Sequence, residues 1–207
     1  MPDVLDERLL GEAVKELASR DPDLADIVRR YGAPPMWGRP PGYPTLIRII
    51  LEQQVSLSSA RAAYDRLEEA LGEITPANFL KLGDTELKTV GFSRQKTRYG
   101  RLLAEDILDG SFDVDALGDL PDEEARTRLT GLKGIGRWSA DIYLLMALRR
   151  PDVWPIGDLA LVSAVRRIKG LNRVPTREEW GRIGDDWRPW RSVAARLAWF
   201  DYLGGRP

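Results

Sequence analysis

Neither cysteine nor histidine occurs among the 207 residues. The first absence excludes disulfides, thiol nucleophiles, Cys-ligated zinc and iron–sulfur clusters. The second removes every Ser–His or Cys–His catalytic pair and the commonest metal ligand. Acid–base chemistry therefore falls to Asp, Glu, Lys or Tyr. No apolar run approaches the ~18–20 residues that span a bilayer. The acidic, amphipathic start MPDVLDERLLGEAVKEL is unlike a signal peptide. Charge of one sign is lacking too, with 31 Lys and Arg against 32 Asp and Glu. What remains, 43% hydrophobic and 30% charged, is the composition of a soluble globular chain. Its length suits one large domain or two small ones.

The charge is unevenly spread. Residues 91–101 hold Arg94, Lys96, Arg98 and Arg101 with no acid, and residues 149–196 are rich in Arg. Such asymmetry makes a basic face on a neutral protein, although solvated Arg-rich helix faces are common.

Helical periodicity runs through the chain, punctuated by Gly and Pro, without period-2 runs. Leu5, Leu9, Val14 and Leu17 mark a first amphipathic helix, and Asp21-Pro22 restarts the chain into a second. Prolines between residues 32 and 44 forbid a continuous helix there. Periodicity resumes at Thr45. Thr75 before Pro76 reads as an N-cap, Asp84 as the cap of a short helix, and Thr176-Arg-Glu-Glu179 as a capping box. The expected fold is all-α, about ten helices in two lobes around a cleft. Lobe A covers about 45–130, and lobe B about 1–44 plus 131–207.

The most informative stretch is 129–140, LTGLKGIGRWSA. A helix ends near Leu129, with Gly131 placed for a left-handed exit. Gly134 and Gly136 flank Ile135, and another helix follows at once. Glycine there permits positive φ, and it lets a phosphate approach main-chain N–H groups with no Cβ in the way. This spacing predicts a tight turn between two helices that can seat a phosphate. Asp158, after Pro155 and Gly157 and before an apolar run, reads locally as an N-cap.

With these residues the sequence resembles the helix–hairpin–helix DNA glycosylases that carry a Gly/Pro-rich loop and a catalytic Asp. Within them it resembles the 3-methyladenine DNA glycosylase II branch. Four segments carry the likeness: ILEQQVS at 50–56, the hairpin 129–140, WPIGD at 154–158 and WRPWRSVAARLAW at 187–199. They extend over roughly residues 32–204. Longer bacterial members have an extra N-terminal β domain, so the chain is expected to be the compact form.

The resemblance puts the catalytic carboxylate on Asp158, a role compatible with capping because a cap fixes a carboxylate's direction. It puts the base pocket at Trp138 and Trp199, with Ile142 and Leu159 where some relatives carry tyrosines. Trp37, in the Pro-rich loop, is a candidate to close that pocket. An indole face attracts a cationic alkylated base. Gln54 falls on the wedge that enters the duplex, with Gln53 and Ser56 on the minor-groove side. Gly134, Gly136, Arg137, Lys133 and Arg191 are expected along the DNA backbone. Main-chain oxygens of Thr130, Leu132 and Ile135 match those that hold a sodium or potassium ion. Bifunctional members carry a lysine at the position of Trp138, so no lyase activity is expected.

The implied activity is excision of alkylated purines from double-stranded DNA by a monomer, cytoplasmic if bacterial. No required cofactor, zinc, iron–sulfur cluster or membrane is expected. Two alternatives fit the same residues. One is a non-catalytic helix–hairpin–helix DNA-binding protein in which Asp158 only caps a helix. The other keeps the fold and acts on ethenoadenine or hypoxanthine.

Overall fold

The structure, a computed structural model, describes residues 4–206. Among these residues every regular element is helical. The chain gathers into two compact units: Arg39–Leu148, and the described parts of Asp3–Gly38 with Arg149–Pro207.

The first unit holds α3 (Tyr43–Glu52), α4 (Leu57–Leu71), α5 (Pro76–Lys81), α6 (Asp84–Val90), α7 (Arg94–Leu108), a 3-10 turn at Asp115–Asp119, α8 (Asp122–Gly131) and α9 (Arg137–Met146). Its centre is α3. Leu46, Ile47, Ile49, Ile50 and Leu51 are all buried, so the helix is apolar nearly all round and is covered by α4, α7 and α9. Each such aliphatic side chain contributes about 1.5–3 kcal/mol by leaving water.

The second unit holds α1 (Glu7–Arg20), α2 (Pro22–Tyr31), α10 (Leu159–Ile168), α11 (Arg177–Asp185) and α12 (Arg191–Tyr202). Here α12 is central, with every residue from Ser192 to Asp201 buried and α1, α2 and α10 packed on it. Trp154 stacks on Trp180 at 4.6 Å between centroids and meets Trp187 edge-on at 5.2 Å. The Trp187 indole N–H donates to Asp21 at 2.7 Å, and Lys169 donates to both oxygens of the same carboxylate. Although burial opposes it, these donors lower the Asp21 pKa, and the paired ammonium of Lys169 is raised. These three tryptophans are thus core.

The lobe boundary expected near residue 130 falls at 148 instead, which keeps the 129–140 hairpin with α3–α7. The cause lies in α9, whose buried side packs on α3 and whose Asp141 is wholly buried. Asp141 accepts from Arg126 of α8 at 2.7 Å and from Arg137 at 3.2 Å, so α8 and α9 are locked together.

Two local expectations also change. Asp84 is the first residue of α6 rather than its cap; the Glu86 carboxylate accepts from Gly83 N–H at 2.7 Å, and Asp84 pairs with Arg101. Gly131 remains inside α8, and the left-handed residue of the hairpin is Gly134 at φ +92°. The caps at Thr75 and Thr176 are as expected.

Candidate functional site

In the first unit two neighbouring turns make a surface suited to a polyanion. One is the α8–α9 hairpin. Ile135 N–H donates to Leu132 O at 3.1 Å and closes the turn around Lys133 and Gly134. The two glycines play different parts. A Cβ on Gly134 would lie 2.3 Å from the Tyr99 ring, and its φ is positive, so the position is closed to other residues. Gly136 is extended, and a Cβ there would meet nothing within 4 Å. No side chain caps the α9 N–H groups that begin at Gly136. That leaves an exposed helix terminus of positive character.

Lys133 at the tip is exposed, and Arg137 is half-exposed beside Asp141. The carbonyls of Thr130, Leu132 and Ile135 belong to this turn and are neutral oxygen acceptors. Leu132 O already accepts the Ile135 N–H and offers one further lone pair.

The other turn joins α3 to α4. Gln54 is exposed and left-handed at φ +57°, a conformation non-glycine residues seldom adopt. Val55 and Leu57 beside it are also exposed, Leu57 by 68%. Gln53 and Ser56, expected on the minor-groove side, both have partners within the protein. The Gln53 amide donates to Gly134 O at 2.8 Å and Ser139 Oγ at 3.0 Å, joining the turn to the hairpin. Ser56 caps α4 by accepting from Ser59 N–H.

Of the basic run, Lys96 is turned inward and donates to Leu51 O and Gln53 O, while Arg101 is engaged with Leu82 O and Asp84. Arg94 and Arg98 remain exposed. Sequence reasoning missed Lys96, Tyr99 and Ser139. The signal for Lys96 was periodic: it shares a helix face with Gly100 and Leu103, both buried.

In the second unit the carboxylate of Asp158 caps α10, accepting from Leu161 N–H at 2.7 Å. Gly157 before it makes the turn at φ +85°. The Trp199 indole N–H donates to the same oxygen at 3.3 Å. Asp158 is half-buried and Trp199 nearly fully buried. The arrangement can hold a negative charge in a fixed direction against a low-dielectric aromatic wall.

Trp37, also left-handed at φ +45°, rests its ring against Phe200, the neighbour of Trp199. Arg196 donates to Met36 O at 2.8 Å and anchors that loop. Leu159 is 84% exposed directly after Asp158. Arg191, expected on a phosphate, is instead bound to Asp152 through Nε at 2.7 Å and through a terminal nitrogen at 2.9 Å. That pairing satisfies the guanidinium within the protein. On α9, in the first unit, Trp138 is half-exposed and Ile142 one turn later is buried.

A protein-family model described as the HhH-GPD superfamily of base excision DNA repair proteins matches residues 47–189. A DNA-3-methyladenine glycosylase of Bacillus subtilis is 26% identical over 89% of this chain, and the chain spans 65% of that relative's length. DNA-3-methyladenine glycosylase 1 of Schizosaccharomyces pombe is 30% identical over 76% of this chain and 71% of its own. Among solved structures, a 3-methyladenine DNA glycosylase of S. pombe in complex with abasic DNA superposes with a TM-score of 0.83 at 28% identity. It covers 91% of this chain and 95% of that one. The matched segment contains the α3–α4 turn, the hairpin and Asp158, and the chain belongs to the HhH-GPD superfamily of base excision DNA repair proteins.

Proposed function

We propose that this chain is a monofunctional DNA glycosylase that excises alkylated purines, 3-methyladenine and 7-methylguanine, from duplex DNA. The observation that carries the reading is the Asp158 carboxylate, held at the start of α10 by Leu161 N–H and Trp199 Nε1–H. The names of the relatives support the substrate class.

The chemistry needs little more than that carboxylate. A purine alkylated at N3 or N7 carries a formal positive charge and leaves as a neutral base, so no general acid is required. As the bond from C1′ to the base nitrogen breaks, positive charge grows on the sugar, and a fixed carboxylate stabilises it. Water then adds its oxygen to C1′ and gives up a proton, for which Asp158 is the available base. The products are free base and an abasic site. Two-carboxylate glycosidases need their second acid because their leaving group is an alkoxide.

The base must leave the stack to reach such a carboxylate. Gln54 is the side chain we assign to the gap, able to stack there and to hydrogen-bond the orphaned partner. Phosphates would sit on the open α9 terminus at Gly136, with Lys133 and Arg137 adding charge. Carbonyls of Thr130, Leu132 and Ile135 would hold a sodium or potassium ion. Such an ion would supply further positive charge beside a phosphate. A lyase step needs an amine nucleophile at C1′; the position that carries it in bifunctional relatives is Trp138, which supports simple hydrolysis.

The test is release of free base from methylated duplex by wild type and Asp158→Asn. Asparagine caps about as well as aspartate, so the variant should fold and bind. A loss of about 100-fold or more is expected. Equal release by both proteins would remove Asp158 from the chemistry. Binding without release by either would favour a DNA-binding protein in which Asp158 only caps α10.

A further inference from the structure

The turn after α3 is held from two sides. Lys96 on α7 donates to Leu51 O at 2.8 Å and Gln53 O at 2.9 Å, carbonyls at the C-terminal end of α3. The Gln53 side chain donates to Gly134 O and Ser139 Oγ across the hairpin. Tyr99, one turn along α7 from Lys96, fills the space that a side chain on Gly134 would need. One face of α7 thus supports both the wedge turn and the hairpin.

Between these anchors stands Gln54 in its left-handed conformation. Strained backbone persists only where the surroundings over-determine it. The Gln54 side chain is exposed, so its conformation is imposed through the main chain of Gln53. We propose that Lys96 is a positioning residue for the DNA wedge. It clamps the end of α3 so that Gln54 is presented in fixed register with the phosphate-binding hairpin.

This inference rests on reading Gln54 as the wedge. An ammonium suits the task, because it faces the negative end of the α3 dipole with three donors to share between two carbonyls. Burial opposes its charge, and the carbonyls solvate it in place of water.

The experiment compares wild type with Lys96→Met, Lys96→Arg and Gln54→Gly. Glycine keeps positive φ at 54 while removing the side chain. The probe is a duplex with 2-aminopurine opposite a tetrahydrofuran abasic analogue, whose fluorescence reads invasion of the stack. Affinity for undamaged duplex at fixed salt reads the hairpin. For Lys96→Met, that affinity should stay within about twofold of wild type, since phosphate contacts supply it. Gln54→Gly should abolish the invasion signal.

Lys96→Met should slow invasion by about 10- to 100-fold, the scale of losing one or two charge-assisted hydrogen bonds. Lys96→Arg should recover most of it. Invasion at the wild-type rate in Lys96→Met, with Gln54→Gly inert, overturns the proposal. So does a joint loss of invasion and undamaged-duplex affinity that arginine fails to rescue, because that is the mark of a structural role alone. An unchanged signal in Gln54→Gly removes the wedge reading and the proposal with it.

Discussion

The helices α9 and α10 each run for ten residues and each begin just after a glycine in positive φ, Gly134 two residues upstream of the Gly136 cap and Gly157 immediately before Asp158. Their first turns solve the same problem in opposite ways. Both expose N–H groups with no helical partner. In α10 the protein supplies its own anion, the Asp158 carboxylate on Leu161 N–H. In α9 the cap is Gly136, which has no side chain to offer, and no side-chain cap closes the exposed terminus. One terminus orients a charge that the chain carries, while the other is prepared for a charge that the chain lacks. The contrast matches the two demands of the proposed activity: a carboxylate fixed near the sugar and a seat for phosphate.

The largest effect should come from dividing the two roles of Asp158. Asp158→Asn keeps the cap and should lose base release by about 100-fold or more with little change in melting temperature. Asp158→Ala should lose the same activity and about 1 kcal/mol of stability as well. Equal stability of the two variants would show that the cap contributes nothing.

Making α9 resemble α10 is the converse. Gly136→Asp adds a carboxylate where a Cβ meets nothing within 4 Å. Stability should rise by about 0.3 kcal/mol, while affinity for duplex, followed by anisotropy, should fall by about tenfold or more. Retained affinity would remove the α9 terminus from the interface.

Gly134→Ala meets both the Tyr99 ring and a positive φ. It should lower stability by about 2 kcal/mol in thermal or urea unfolding. The pair Gly134→Ala and Gly136→Ala, the latter near neutral in stability, measures how differently the two hairpin glycines act.

The smallest effect is a control on an unrelated cap. Thr176→Ala should cost α11 about 1 kcal/mol and leave base release unchanged. Arg173 and the Thr176 N–H hold Glu179 at a pKa of about 2, below its ordinary 4.5. Its contribution is therefore fully present above 4.5 and is lost as pH falls toward 2. Arg173→Gln should flatten that part of an acid unfolding profile.

Much of this was legible in the residues. The helical pattern, the caps at Thr75 and Thr176 and the hairpin glycines follow from local rules of spacing and capping. Asp158 was legible as a cap from its neighbours, and the catalytic role proposed for it comes from family resemblance. What escaped is long-range. Periodicity puts Lys96 on the buried face of α7, but nothing local tells that it reaches the carbonyls at the end of α3, or that Arg191 closes on Asp152. The hairpin's membership of the first unit rests on Asp141, whose partner Arg126 lies on another helix. For these polar side chains a distant backbone group or counter-ion decides the direction.

The distribution of tryptophan between the two units has a practical consequence. Residues 39–148 contain a single indole, Trp138, and the other six lie in the second unit, three of them in the Trp154–Trp180–Trp187 stack. Intrinsic fluorescence during denaturation therefore watches mainly one half of the molecule, whereas far-ultraviolet ellipticity watches the helices of both. If the two signals change together, the halves melt as one cooperative body. If they separate, the order of the transitions tells which half gives way first. Replacing Trp138 with phenylalanine would silence the first unit and calibrate the optical assignment.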